Sequence, residues 1–163
     1  MDAQLIFGCG PEVCADIALA CGDVLTGNDL STAVLISLFT DRRANEDDKL
    51  PSGDDPRGWW ADAMDGQRIG SRLWLLENAS NLPETLALAK EYALEALQWL
   101  VSDGIAKSIA VTTAAQRGTD CNNVLAFDVQ ITKPDSKTLA WRYRYAWDLR
   151  QLQSCDVLPN FCA

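Results

Sequence analysis

Carboxylates and thiols are the reactive groups this chain holds in quantity, and it has no histidine. Its 163 residues include 23 Asp and Glu, 14 Lys and Arg, and six cysteines. Two carboxylates about 5–10 Å apart, one holding its proton, would cleave a glycosidic bond. No acidic pair here falls in a recognisable cleft motif. Glu77, at the end of the apolar run Leu73-Trp74-Leu75-Leu76, is the only carboxylate that invites a test. The commonest general base and nucleophile activator is missing with histidine. Cys9, Cys14, Cys21, Cys121, Cys155 and Cys162 include no Cys-x-x-Cys pair, so the usual zinc spacings are missing too. Plain thiols are expected ahead of a metal or a bridge. Catalytic residues, cofactors and metal ligands are therefore all expected to be none.

The other chemistry is recognition. Arg42, Arg43 and Arg72 are guanidinium forks that fit carboxylates, inside their own loop or across an interface. Trp59, Trp60 and Trp74 are expensive to leave in water. Pro51, Gly53, Pro56, Gly58 and Gly66 break any period between them, so residues 40–69 read as a long loop carrying aromatic anchors. Such a loop packs on its own core or on another protein. The acidic runs Glu46-Asp47-Asp48 and Asp54-Asp55 read as solvated, with a surface for basic partners as the rival. Near the end, Leu139, Trp141, Tyr143, Tyr145 and Trp147 alternate with Ala140, Arg142, Arg144 and Ala146. That strand has an aromatic side and a basic side, either core plus solvated face or a partner surface.

The elements that must hold these residues follow from the rest of the pattern. An apolar fraction of 48% and a charged fraction of 23% suit one globular domain with a real core. A formal charge of -9 opposes phosphate-driven nucleic-acid binding and docking on an anionic membrane. No apolar run approaches the roughly 20 residues of a bilayer helix. The start lacks the positive region of a signal peptide, so the protein is expected to be made and kept in a cytoplasm.

Residues 1–27 read as an arm of short strands, Gln4 to Phe7 and Ala15 to Leu19, with a turn at Cys21-Gly22-Asp23. Residues 28–147 read as the core domain. Asn28 or Asp29 is expected to cap a helix from Leu30 to about Phe39, with Leu30, Ala33, Val34, Ser37 and Leu38 on one face. Ser37 can be buried by bonding a carbonyl one turn back. Ser71 to Glu77 reads as a helical turn or two, pressing Ile69, Leu73 and Leu76 into the core. Asn81 is expected to cap the longest helix, Leu82 to about Ser102, with Pro83 in its first turn and Glu84 on its dipole. One stripe of that helix is Leu82, Leu86, Ala89, Ala93, Leu97 and Leu100. A second is Leu88, Tyr92, Ala96 and Trp99, so cover on two sides is expected, and Gly104 ends it in the left-handed conformation. Ala106 to Ala114, Val124 to Thr132 and Leu139 to Trp147 alternate as strands, with Gln116 to Cys121 a loop. The fold expected is α+β, a single domain of helices packed on a small antiparallel β-meander. Residues 148–163 form a tail of no clear period.

At this point the chain resembles a known family. The phrase Ala33-Val34-Leu35-Ile36-Ser37-Leu38-Phe39-Thr40-Asp41-Arg42-Arg43-Ala44 is similar to the small baseplate proteins of Mu-like contractile phages. So are Arg57-Gly58-Trp59-Trp60, Ile69-Gly70-Ser71-Arg72-Leu73-Trp74-Leu75-Leu76 and Ala96-Leu97-Gln98-Trp99-Leu100. The resemblance runs from Leu5 to Trp147. It implies a wedge component, or sheath initiator, from a wider group once labelled tail lysozyme. It further implies a six-fold baseplate in which the subunit sits close to the tube and offers a sheet edge to the first ring of tail sheath proteins. Their extended arms would add as strands, which is β-augmentation. Distant relatives carry Glu-Pro-Arg after the long helix, where this chain reads Ser102-Asp103-Gly104-Ile105-Ala106-Lys107.

Under that reading Leu139, Trp141, Arg142, Tyr143, Arg144, Tyr145 and Trp147 form the sheath interface. Arg42, Arg43, Arg57, Trp59, Trp60, Arg72 and Trp74 form the interface to other wedge proteins, with tube or hub proteins as further neighbours. No nucleic acid and no membrane is expected as a partner. The expected location is the virion tail baseplate, assembled in the host cytoplasm. The rival functions are a peptidoglycan-degrading tail lysozyme and a tail-assembly chaperone.

Overall fold

The computed structural model describes residues 2–3, 5–7, 15–17, 19–24, 26–27, 30–60, 62, 68–79, 83–117, 123–146 and 151–152. Among the described residues the N-terminal stretch holds six short strands: β1 (Asp2–Ala3), β2 (Leu5–Phe7), β3 (Ala15–Ile17), β4 (Leu19–Ala20), β5 (Asp23–Val24) and β6 (Thr26–Gly27). They form three antiparallel pairs, β1 with β6, β2 with β3 and β4 with β5. Cys21 and Gly22 join β4 to β5 with φ of 54° and 83°. Two left-handed residues are what a two-residue hairpin turn of the correct twist requires.

Helix α1 spans Ser31–Phe39, a 3-10 turn spans Leu73–Leu76, and helix α2 spans Pro83–Ser102. Val34, Ser37 and Leu38 turn inward from α1, as their spacing predicts. The helix starts one residue later than expected, and Leu30 at its head makes no side-chain cap bond. The expected caps Asn28, Asp29 and Asn81, and Leu82 with them, lie outside the described residues. Ser37 is satisfied by a partner that sequence spacing could not reveal: its hydroxyl accepts the indole N–H of Trp99 at 3.0 Å. The glycine expected to end α2, Gly104, has φ of 70°.

Strands β7 (Ser108–Arg117), β8 (Asn123–Thr132), β9 (Thr138–Ala146) and β10 (Gln151–Leu152) form one antiparallel sheet in the order β10-β9-β8-β7. Leu125, Phe127, Val129 and Ile131 of β8 are buried on one face, with Val111 of β7 and Trp141 and Tyr143 of β9 beside them. Both helices pack on that face. Ala89, Ala93 and Ala96 let α2 approach the sheet closely while Leu97 and Leu100 fill between. The ring of Phe39 meets Tyr143 edge-on at 5.6 Å, which ties α1 to β9. On the opposite face Ala110, Thr112, Ala114, Gln130 and Ala140 are exposed.

Three expectations change. β7 runs on through Gln116 and Arg117, where a loop was expected, because those residues keep pairing with Val124 and Asn123. Ile69 is exposed, and Trp74 takes the buried place beside Leu76. The second stripe of α2 is only partly covered: Ala96 is buried and Tyr92 half-buried, whereas Leu88 and Trp99 stay exposed. No helix among the described residues is long and apolar enough to cross a membrane.

Candidate functional site

The loop that leaves α1 is stitched to the segment before the 3-10 turn by backbone bonds. Ser71 N–H donates to the Thr40 carbonyl and Arg42 N–H to the Ser71 carbonyl, both at 2.9 Å. Gly70 permits this approach. It has φ of 98°, and a Cβ there would lie 2.3 Å from the Thr40 oxygen. The Ser71 hydroxyl donates to the Leu38 carbonyl. The buried Trp74 donates its indole N–H to the Arg42 carbonyl at 2.8 Å. Further along, Ala44 N–H reaches the Pro56 carbonyl at 2.9 Å and the Asn78 amide reaches that of Pro51 at 3.1 Å.

Three arginines then clamp the loop to the domain. Arg72 donates to both oxygens of Asp48, at 2.9 and 3.1 Å, and to one oxygen of Glu95, at 2.8 and 3.1 Å. Its guanidinium lies 4.5 Å from the centre of the Tyr92 ring. Arg42 reaches the other oxygen of Glu95 at 3.3 Å. Arg57 donates to both oxygens of Glu77, at 2.9 and 3.1 Å, and to Asp41 at 2.8 Å, while stacking 4.5 Å over Trp74.

The ionisation of these groups follows from their partners. The Glu77 hydrogen bond holds the Arg57 pKa above the ordinary arginine value, against the cost of burial and with help from Asp41. For Arg72, burial is the largest influence and works against the charge. The hydrogen bonds with Glu95 and Asp48 outweigh it, and its pKa is raised as well. Burial also raises the Tyr92 phenol, with Arg72 pulling the other way. Arg57 has φ of 49°, a left-handed conformation that costs a side-chain residue about 1–2 kcal/mol. Its ion pairs and its stacking on Trp74 offset that cost.

The residues expected at a wedge interface therefore divide. Arg42, Arg57, Arg72 and Trp74 face inward and build the loop. Arg43, Trp59 and Trp60 face outward. Trp59 is 37% exposed and Trp60 75%, with their rings 5.6 Å apart and tilted by 52°. They follow Arg57 and Gly58, whose φ of 112° brings its backbone against Arg43. The pair thus projects from a clamped base.

The residues expected at a sheath interface divide as well. Trp141 and Tyr143 are only 6% and 2% exposed, and Leu139 packs half-buried beside them, so this aromatic face is the domain's own core. Arg142 is exposed on the other face and pairs with Asp128 across to β8. The side chains of Arg144 and Tyr145, and the whole of Trp147, lie outside the described residues. What β9 presents outward is backbone. Lys133 N–H donates to the Lys137 carbonyl at 2.8 Å and closes the β8–β9 hairpin. Alternation along the antiparallel ladder then points the amides of Ala140, Arg142, Arg144 and Ala146 away from β8. Among the described residues only Tyr145 and Ala146 have a strand on that side, β10, and no strand flanks the outer edge of β7.

Sequence reasoning missed the acceptors. Asp41, Asp48 and Glu95 organise the loop, yet lie up to 54 positions apart, Glu95 against Asp41, and share no spacing. The one available signal was helical: Tyr92 and Glu95 stand three residues apart, on one side of α2. Glu77 has its two oxygens occupied by Arg57, which makes it an anchor of the loop. No group of three or more potential metal ligands occurs among the described residues.

The comparisons agree on one family. The family described as phage protein GP46 matches residues 30–138, which span α1, the clamped loop, α2 and the first two strands of the meander. The chain is 42% identical over 134 residues to baseplate protein gp46 of Escherichia phage Mu, covering 82% of this chain and 90% of that protein. It is 38% identical over 135 residues to Mu-like prophage FluMu protein gp46 of Haemophilus influenzae, with the same coverage. A match of this extent establishes kinship: the chain belongs to the gp46 family of Mu-like phage baseplate proteins.

Proposed function

We propose that this chain is a structural component of a contractile-tail baseplate, where it templates the first sheath ring by strand addition and binds other wedge proteins. A relative 42% identical is named a baseplate protein, which supports the structural role. The observation that carries the templating is that, among the described residues, no strand other than β10 pairs with the outer edge of β9, and β10 pairs only with Tyr145 and Ala146. A sheet edge is where an extended arm adds as a further strand. Trp59 and Trp60, on their clamped loop, supply rigid anchors of the kind that dominate protein interfaces. In this role the unit of function is 28–147, with 1–27 as an arm and 148–163 as a tail. It joins six-fold particles in the host cytoplasm and remains in the virion beside sheath, wedge and tube or hub proteins.

The test removes outward amides from β9. Ala140→Pro and Arg144→Pro each delete one, without touching the bonds that face β8. Phage carrying either change should assemble tubes and baseplates without sheath, with the isolated protein still melting cooperatively. Normally sheathed tails from both variants would refute templating at β9. Absence of the chain from purified tail particles would refute the structural role itself.

A further inference from the structure

We propose that the N-terminal arm of one copy of this chain docks on a lysine corner at the end of the sheet of the next copy, a contact separate from the β9 edge. The corner lies where β7 begins, β8 ends and β9 begins. Lys107 N–H donates to the Thr132 carbonyl at 2.7 Å, and Lys133 N–H to the Lys137 carbonyl at 2.8 Å. Three of the chain's five lysines thus sit on adjoining strand ends. Lys133 and Lys137 stand opposite one another, an arrangement of like charges that costs stability. Little within the chain compensates for it. Among the described residues only Asp135 reaches the group, 3.7 Å from Lys137, and both of those side chains are more than half exposed. Asp103, at the end of α2, pairs with none of the three among the described residues. Lys107 and Lys137 are exposed, and the exposed Ile105 and Pro134 put apolar surface beside them. Such a corner fits an acidic partner that also carries apolar side chains.

The arm has that chemistry. Residues 1–27 hold Asp2, Glu12, Asp16 and Asp23 and neither Lys nor Arg, and the first basic residue of the chain is Arg42. In the β4–β5 hairpin Leu19 stands opposite Val24, so the two project from one side. They are 71% and 41% exposed. Asp23, beside the turn, is exposed as well. Covering Leu19 and Val24 with Ile105 and Pro134 removes apolar area from water while the arm's carboxylates meet the lysines. Both surfaces are exposed in the single chain, so the contact that joins them lies between copies. It joins unlike surfaces, which makes it head-to-tail: it passes from copy to copy and closes as a ring where the rotation permits.

The test uses the full chain in free solution, with reductant present because Cys21 is exposed. Wild type should sediment as larger species as its concentration rises in about 50 mM salt, and as monomer in about 500 mM, where exposed charges are screened. Two variants each disable one surface. One combines Lys107→Gln, Lys133→Gln and Lys137→Gln, and the other combines Leu19→Ser and Val24→Ser. Each alone should associate at least about tenfold more weakly than wild type. The lysine variant should melt no lower than wild type, since it relieves a like-charge pair. Mixed in equal amounts, the two variants should form a dimer and nothing larger, because one supplies the arm and the other the corner. Carbodiimide cross-linking of wild type mixed with its nitrogen-15-labelled form should join arm carboxylates to the three lysines across the two isotopes.

Wild type that stays monomeric at low salt and millimolar concentration overturns the contact. Association that survives in both variants also overturns it, since other surfaces would then carry it. Variants that melt like wild type yet fail to dimerise when mixed overturn the head-to-tail arrangement. Cross-links confined to a single isotope would place the arm on its own chain and overturn docking between copies.

Discussion

Replacing Arg72 with methionine keeps an apolar stem over Tyr92 and deletes the charge that joins Asp48 to Glu95. Breaking a fully buried ion pair costs about 3–5 kcal/mol, and an exposed pair is worth about 0.2–1 kcal/mol. The Arg72 and Asp48 side chains are each only 14% exposed, while Glu95 at 34% keeps Arg42 as a partner. The expected loss is therefore about 2–3 kcal/mol, and in a domain of this size it lowers Tm by about 5–10 °C. Urea unfolding of Arg72→Met beside Arg142→Met makes the comparison internal. The Arg142–Asp128 pair has side chains 48% and 38% exposed, so its loss should cost at most about 0.5 kcal/mol. A double-mutant cycle with Asp48→Asn should return about 1–2 kcal/mol of coupling. A loss at Arg72 no larger than at Arg142 would refute the idea that ion pairs hold the loop.

Gly70→Ala should cost at least about 2–3 kcal/mol, because strain at positive φ is joined by a collision with the Thr40 carbonyl. Gly22→Ala carries the strain alone, with nothing within 4 Å, and should cost about 1 kcal/mol by urea unfolding. The Trp59→Ala, Trp60→Ala double variant should lose most of its pull-down of wedge proteins while Tm moves by only a few degrees. A large drop in Tm would instead show that the pair serves its own domain. The Tyr92 pKa is raised, so its neutral phenol contributes stability that is whole below the ordinary tyrosine value and is lost as pH rises through the raised one. Absorbance at 295 nm should therefore show a tyrosine ionising above about pH 10, and that phase should vanish in Tyr92→Phe.

The pattern of apolar residues carried most of the fold. Period-two alternation at Leu125, Phe127, Val129 and Ile131, and the helical stripe from Ala89 to Leu100, depend only on which side of an element faces the core. The candidate site was harder to read, because its logic is pairing between distant positions. Arg42, Arg57 and Arg72 stood out by type, but their carboxylates come from a loop, a 3-10 turn and a helix that only folding brings together. Trp74 looked like an interface anchor for the same reason that it is a good core residue: a large ring with one donor, here satisfied by Arg42. The pairing of Gln151 and Leu152 with Ala146 and Tyr145 could not be read, since residues 148–163 have no clear period in the sequence.

Helix α2 and the three meander strands are contiguous in the chain, each packing on its neighbour in sequence. Short loops between contacting elements make for rapid formation, so this half can organise by itself soon after it is synthesised. The clamped loop cannot. Arg42 and Arg72 leave the ribosome before Glu95 does, and they have no helix to grip until α2 exists. The tryptophan pair is therefore presented last, on a subunit whose sheet is already built.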